Sequence, residues 1–282
     1  MFKGLWKPLC AFAAIMGILA LNPALAAWEL DMPRGVTTLS DMIRDLHREI
    51  MLICTVVGVV LFSVMFYAIF KFRKSKGAKA ATFSHNTNAE IIWTVAPILI
   101  LIYMAVPSAR AILEIEDASN PDMTIKVTGH QWKWEYEYLD NGVQFYANMD
   151  EASAAAARPN SGIDVTEIEH YLRDVDKRMV VPVNQKVRIL LTASDVIHAW
   201  WVPELYIKKD AIPGFVNEMW FEATQTGVFR GQCAELCGRG HGFMPIVVEV
   251  LEQEDYDAWV AEQGGEAVAA KETSADNTVA AL

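Results

Sequence analysis

Cysteine is scarce in this chain: four in 282 residues are too few for a disulfide scaffold, so each one has to be judged by its own surroundings. No C-x2-C-H motif occurs, which excludes a covalently attached c-type haem. Basic side chains are also in deficit, with 24 Lys plus Arg against 35 Asp plus Glu. A surplus of negative charge argues against nucleic acid and for a basic partner. Disorder of the whole chain is ruled out by its 53% hydrophobic content.

A net charge of -11 together with a positive mean hydropathy is unusual for one soluble domain, and the charge map explains the pairing. Residues 1–109 carry ten basic and six acidic side chains, net +4, whereas residues 110–282 carry fourteen and twenty-nine, net −15. The first part opens with Lys3 and Lys7, an apolar run over 9–21, and Ala24 and Ala26 at the −3 and −1 positions of a cleavage site after Ala26. This is the pattern of a secretory signal peptide over 1–26; a retained anchor is the alternative. Cys10 would leave with it.

After an exported segment at 27–49, residues 50–70 contain no charge between Glu49 and Lys71, and 91–109 contain none between Glu90 and Arg110. At about 1.5 Å per residue both runs can cross a bilayer. Neither contains a histidine, so neither offers a haem ligand. Pro97 and Pro107 would kink the second span, which a neighbouring membrane helix can accommodate. The loop at 71–90 holds Lys71, Arg73, Lys74, Lys76 and Lys79 with no acid before Glu90, which by the positive-inside rule places it in the cytoplasm and both ends outside. Met42, Ile43, Leu46 and Ile50 recur at helical spacing and predict a short amphipathic helix leading into the first span. Cys54 reads as a packing or lipid-facing residue, and His47 as a surface one.

Past Pro121 the period changes to two. Strands are expected at 125–129, 132–138, 179–183, 187–192, 199–202, 215–223 and 243–251, separated by turn residues such as Asn141-Gly142 and Pro213-Gly214. Many short strands imply an all-β sandwich or barrel, here over 110–262. Residues 148–173 read as an insertion, helical in part, and the tail over 263–282 as disordered, since beyond Trp259 it lacks large apolar groups.

The most specific signal is the segment 233–244, with spacing C-x3-C-x3-H-x2-M: Cys233, Cys237, His241 and Met244, with His198 upstream at a strand end. Thiolate, imidazole and a weak thioether are the donors of copper electron-transfer sites on β-sandwiches. There is one cysteine more than a single copper uses, and two thiolates can bridge two coppers, each then taking one histidine. A disulfide between Cys233 and Cys237 would leave both histidines and Met244 unexplained; a structural zinc would leave Met244 unexplained. Trp200, Trp201, Phe243 and Pro245 around the ligands suggest a buried, fixed centre.

The ligand loop, His198, the aromatic segment 129–134, the stretch 210–214 and the two-helix hairpin together resemble subunit II of a bacterial cytochrome c oxidase, over nearly the whole mature chain. The resemblance implies a two-helix transmembrane hairpin followed by a cupredoxin-like domain that holds the dinuclear copper A centre. Cys233 and Cys237 would then bridge the coppers, His198 and His241 would bind one each, and Met244 and the backbone carbonyl of Glu235 would be weak axial ligands. The Glu235 side chain would bind magnesium or manganese at the boundary with subunit I.

By the same resemblance Trp132 is the point where electrons enter from cytochrome c, although strand packing alone would account for it. Glu137, Asp176 and Asp195 are expected near the docking face, and a merely solvated role suits each as well. Glu90 matches an acid near the entrance of a proton channel, or serves only as a helix N-terminal carboxylate. His130 reads as structural, His85 and His170 as surface residues. The implied protein sits in the bacterial inner membrane with both mature termini periplasmic, beside subunits I and III. It passes electrons from cytochrome c to haem in subunit I, where oxygen reduction drives proton pumping. Two alternatives remain: a quinol oxidase subunit II, which lacks the copper ligands, and a membrane-tethered copper-delivery protein without redox function.

Overall fold

The computed structural model of the protein describes residues 32–265. The expected signal peptide and nearly all of the expected disordered tail lie outside the described residues. Thr37 begins the first helix, α1 (Thr38–Lys71), with a capping box in which its side chain accepts from the Ser40 amide and Ser40 Oγ reaches back to Thr37. The predicted amphipathic helix and first span are thus one continuous 34-residue helix. At 1.5 Å per residue it exceeds the hydrocarbon thickness, and its N-terminal turns stand outside the apolar run. There Leu39 is buried in the core of the β domain, and Thr37 Oγ1 donates to the Leu205 carbonyl at 3.1 Å.

The second helix, α2 (Thr87–Glu116), is capped by Asn86 and continues through Pro97 and Pro107. The side chains of both apolar runs are almost all exposed, as lipid-facing groups must be, and the two helices are long and apolar enough to cross a membrane. Where α2 leaves its apolar run it is fastened to the β domain: Glu116 pairs with Lys209 at 2.9 Å and the Glu114 carbonyl accepts from Trp220 Nε1 at 3.2 Å.

Among the described residues ten strands follow: β1 (Met123–His130), β2 (Lys133–Tyr138), β3 (Gln144–Ala147), β4 (Met179–Pro182), β5 (Lys186–Ala193), β6 (His198–Val202), β7 (Ile207–Ala211), β8 (Asn217–Glu222), β9 (Gly227–Gln232) and β10 (Pro245–Leu251). One sheet has the order β3-β2-β1-β5-β8, a second β4-β10-β9, and β6-β7 form a two-stranded ribbon. Most pairs are antiparallel, while β1/β5 and β4/β10 run parallel. The alternation read in the sequence is the alternation of burial: Trp134, Tyr136 and Tyr138 of β2 and Val187, Ile189 and Leu191 of β5 point inward, toward Ile246, Val248 and Val250 of β10 in one core. Tyr138 stitches the sheets, its hydroxyl donating to the Val180 carbonyl and accepting from the Val180 amide, both at 2.8 Å.

Three strands were not expected. β3 is a four-residue edge strand, β7 is rich in charge, and β9 contains Gly227 and Gly231, a residue type depleted in strands. Gly231 is required by packing, because a Cβ there would sit 1.9 Å from the Trp201 carbonyl oxygen of β6. Phe215, Val216 and Phe243 lie just before their strands rather than in them. The insertion is helical in part, with α3 (Glu151–Ala156) and a 3-10 turn at Val165–Glu167.

The domain closes with a helix that was not expected, α4 (Gln253–Glu262), in which Val260 is buried and Trp259 lies 5.3 Å from the Tyr138 ring. The few apolar residues of that segment fall on one helical face and close the end of the sandwich.

Candidate metal centre

β9 ends at Gln232, and β10 begins at Pro245 directly opposite it. The twelve residues between must therefore leave and return to one point, and the loop closes on itself: Cys233 N donates to the Met244 carbonyl at 3.3 Å, His241 N to the Gly238 carbonyl and Phe243 N to the Gly240 carbonyl. Gly238 has φ +112, a conformation that glycine alone adopts without strain. The loop is hooked onto β6 by Ala234 N donating to the Ala199 carbonyl at 3.0 Å, next to His198 at the start of that strand.

These constraints bring all five predicted side-chain donors together. The Cys233 and Cys237 sulfurs are 3.8 Å apart, far beyond the 2.05 Å of a disulfide. Cys233 Sγ lies 3.9 Å from His198 Nδ1, and Cys237 Sγ lies 3.7 Å from His241 Nδ1. The weak donors divide in the same way: the Glu235 carbonyl oxygen is 3.3 Å from Cys233 Sγ, and Met244 Sδ is 3.5 Å from Cys237 Sγ.

Donors about 2.3 Å (sulfur) and 2.0 Å (nitrogen) from a shared tetrahedral ion stand about 3.8 and 3.5 Å from each other, so these separations fit metal ligation. The arrangement has two similar halves, each with one sulfur, one imidazole and one weak donor. The mutually close set within 4.8 Å is His198, Cys233 and Cys237, with His241 joining through Cys237. Soft thiolate and thioether donors beside imidazoles suit a soft metal ion. His198, Cys233, Cys237 and Met244 are buried and His241 is half-buried, which suits a fixed centre and not an exchangeable one.

Electrostatics set the two thiols apart. Burial raises the Cys233 thiol, but hydrogen bonds from His198 and from backbone amides outweigh it and bring the group down to about 7. Burial and the neighbouring Cys233 charge push Cys237 up to about 12. Two thiols this close cannot both ionise without a cation, and a bound metal supplies that charge. His198 is raised: burial opposes its charged form, and Cys233 and Asp195 overcome that.

The remaining predicted residues fall in different places. Trp132, half-buried, lies against the ligand loop, its Nε1 donating to the Cys237 carbonyl at 3.2 Å, and a Cβ at Gly240 would be 2.3 Å from its ring. Asp195 is three residues before His198, and its Oδ1 is 2.9 Å from His198 Nε2. Glu137 pairs with Lys126 across β1/β2 at 2.8 Å. Asp176 brackets the base of the insertion, accepting from Asn148 N at 2.7 Å and from Asn148 Nδ2 at 3.0 Å. The Glu235 side chain is exposed while its carbonyl faces Cys233. Glu90 is in the first turn of α2, where it accepts from Asn86 N at 3.3 Å.

His130 is structural, held between Ser194 Oγ at 2.7 Å and Glu135 at 3.0 Å. His85 is exposed and His170 half-exposed beside Glu169. Sequence reading missed Gln131, whose Nε2 also donates to the Cys237 carbonyl at 2.9 Å. It missed Gly129 too, where a Cβ would meet the His198 ring at 2.8 Å. The glycine and glutamine flanking His130 were the available signal.

Two family profiles match this chain: "Cytochrome C oxidase subunit II, periplasmic domain" over residues 123–251 and "Cytochrome C oxidase subunit II, transmembrane domain" over residues 26–111. The chain is 36% identical over 252 residues to cytochrome c oxidase subunit 2 of Cyanidium caldarium, covering 88% of this chain and 96% of that one. It is 41% identical over 235 residues to the counterpart from Rickettsia bellii, covering 83% and 84%. Among solved structures, the periplasmic domain of subunit II of cytochrome oxidase from Bradyrhizobium japonicum is 42% identical with a TM-score of 0.44, covering 52% of this chain and 96% of that one.

Proposed function

The chain belongs to the cytochrome c oxidase subunit II family, and from that premise we propose a role for each residue of the site. The protein is a membrane subunit of an oxidoreductase, and its family implies copper A and a subunit I partner. The presence of all five side-chain donors excludes the quinol-type relative that lacks them, and nothing supports a copper-delivery role.

Cys233, Cys237, His198 and His241 would hold the copper, with Met244 and the Glu235 carbonyl as weak donors beside them. Copper bound there would supply one-electron transfer. The chain's own residues do the rest. The buried walls exclude water, and the closed loop holds the donors in place.

Trp132 is the port through which electrons enter: its indole is partly exposed, and its Nε1–H reaches the Cys237 carbonyl. The donor is a basic cytochrome c, steered by the −15 field of residues 110–282, with Glu137, Asp176 and Asp195 near the landing face. The exposed Glu235 carboxylate binds magnesium or manganese at the subunit I boundary. Glu90 stands at the cytoplasmic end of α2 near a proton entrance. Subunit III completes the assembly in the bacterial inner membrane, with both mature termini periplasmic. Oxygen reduction occurs at haem in subunit I, because neither apolar run of this chain carries a histidine.

The paired two-half arrangement of sulfur, imidazole and weak donor carries this reading. It is tested by purifying the copper-loaded chain and measuring copper per chain together with the electron paramagnetic spectrum. Two coppers sharing one unpaired electron are expected. One copper with a mononuclear spectrum, or zinc retained against copper, would sink the assignment.

A further inference from the structure

Asp195 has more to do in this structure than carry charge at the surface. Its side chain is about a third exposed (32%), yet both carboxylate oxygens are engaged. Oδ1 faces His198 Nε2 at 2.9 Å and accepts from the Val196 amide at 2.6 Å, while Oδ2 accepts from the Gln131 amide at 2.7 Å. His198 turns its other nitrogen, Nδ1, toward Cys233, so the Asp195 bond sets both the tautomer and the ring orientation of a metal-ligating imidazole. The imidazole is further confined by Gly129, whose missing Cβ leaves room for the ring, and by Trp134 edge-on at 5.9 Å.

The other oxygen acts on the other side of the site. Gln131 immediately precedes Trp132, and the side chains of both residues converge on the Cys237 carbonyl at 2.9 and 3.2 Å. A continuous chain of hydrogen bonds therefore runs from His198 through Asp195 to Gln131, and from Gln131 and Trp132 to Cys237. One ligand histidine, one ligand cysteine and the indole are tied to a single carboxylate. Of the three acids expected at the docking face, Asp195 alone touches a ligand; Glu137 pairs with Lys126, and Asp176 holds Asn148.

We propose that Asp195 is a positioning residue that locks the His198 imidazole and the Gln131-Trp132 turn in one fixed relation, so that the ligand set and the electron port are aligned by the same group. A landing charge needs only to be exposed and negative. A clamp needs two correctly placed oxygens, and substitution of such outer partners typically costs 10–100-fold in metal affinity or activity. The proposal rests on the copper assignment made above.

The test uses the assembled oxidase with three variants, Asp195→Asn, Asp195→Glu and, as a charge control, Glu137→Gln. Copper content, the paramagnetic spectrum and the reduction potential of the centre are recorded without donor; kcat and KM for cytochrome c are then measured over a range of ionic strength. An amide has one acceptor oxygen, so Asp195→Asn satisfies one side of the clamp and faces the other with N–H groups. It is expected to alter the copper spectrum and potential and to lower kcat about tenfold or more, whereas Glu137→Gln raises KM at low salt and leaves the spectrum unchanged. Asp195→Glu keeps the charge but moves both oxygens by a methylene, so the spectrum stays altered.

The clamp is overturned if Asp195→Asn behaves like Glu137→Gln, or if Asp195→Glu restores the wild-type spectrum and kcat. Should Asp195→Asn fail to assemble, the Asp195→Glu spectrum decides by itself. Absence of a two-copper signal in the unsubstituted enzyme refutes the copper assignment and the proposal with it, and so is distinguished from failure of the clamp alone.

Discussion

Replacing Gly240 by alanine isolates the contact between Trp132 and the ligand loop. Gly240 has φ −95 and ψ 15, a backbone conformation open to alanine, so the substitution introduces no backbone strain and acts only through its methyl group. That methyl group would stand 2.3, 2.5 and 2.7 Å from Cδ2, Cγ and Cε3 of the Trp132 ring. Carbon atoms rest at about 3.5–4.0 Å, so ring or loop has to retreat by roughly 1 Å. A strained insertion of this kind typically costs about 1–3 kcal/mol. The indole is the freer partner, because the loop is held by its ligands and by the Ala234 N–H on the Ala199 carbonyl; the displacement therefore breaks the 3.2 Å Trp132–Cys237 hydrogen bond.

Gly240→Ala is thus expected to retain copper and its spectrum, to lower the melting temperature of the oxidase's subunit II domain, and to slow reduction of the centre by cytochrome c in rapid mixing. Trp132→Ala should show the same slow phase, and the double variant should be no slower than Trp132→Ala. Unchanged reduction kinetics in Gly240→Ala, with stability lowered as expected, would refute the view that the indole's seat against the loop matters for electron transfer.

Met244→Leu preserves volume in a buried position, so stability should fall by less than about 1.5 kcal/mol. Its copper should remain with an altered spectrum and potential, and an unaltered spectrum would remove Met244 from the ligand set. Tyr138→Phe deletes a hydroxyl bonded to both the Val180 amide and carbonyl at 2.8 Å. Leaving two buried backbone groups unpaired should cost on the order of 1–3 kcal/mol in denaturant titration, and a negligible change would show that the two sheets are not stitched there.

Glu135 is held below its ordinary range: burial opposes its ionisation, and hydrogen bonds from His130, Gln144 and Tyr146 outweigh that. A depressed carboxyl adds stability that is complete above the ordinary glutamate range and is lost as pH falls through the depressed value. Acid unfolding followed by circular dichroism should therefore be less steep in Glu135→Gln, and identical acid limbs would count against the network.

Much of the site was legible before the fold was known because its signals are local and chemically narrow. Soft donors at C-x3-C-x3-H-x2-M spacing restrict the metal. Uninterrupted apolar runs restrict the environment of the helices, and a run of basic residues between them restricts their orientation. Strands with inward aromatics, such as β2, showed their period directly. β7 and β9 did not, because β7 is charged and pairs only within a ribbon, and because β9 carries a glycine demanded by a carbonyl from another strand. α4 was hidden for a related reason: its apolar residues are few, and they suffice only because Tyr138 and Phe145 wait at the open end of the sandwich.

What the amino-acid sequence determined by itself was the donor set, the two apolar spans and the acidic excess, since each is a property of composition at short range. Which sulfur faces which imidazole, that Trp132 rests on the Cys237 carbonyl, and that Asp195 clamps a ligand instead of standing free were decided only by the tertiary structure. His198 meets Cys233 across 35 positions, and the bonds from Gln131 to Asp195 and from Gln131 and Trp132 to the Cys237 carbonyl join residues 64 to 106 positions apart. They exist because β1, β5, β6 and β9 pack so that a turn, a strand end and a loop meet at one end of the sandwich, and no local pattern encodes a distance that long-range burial alone enforces.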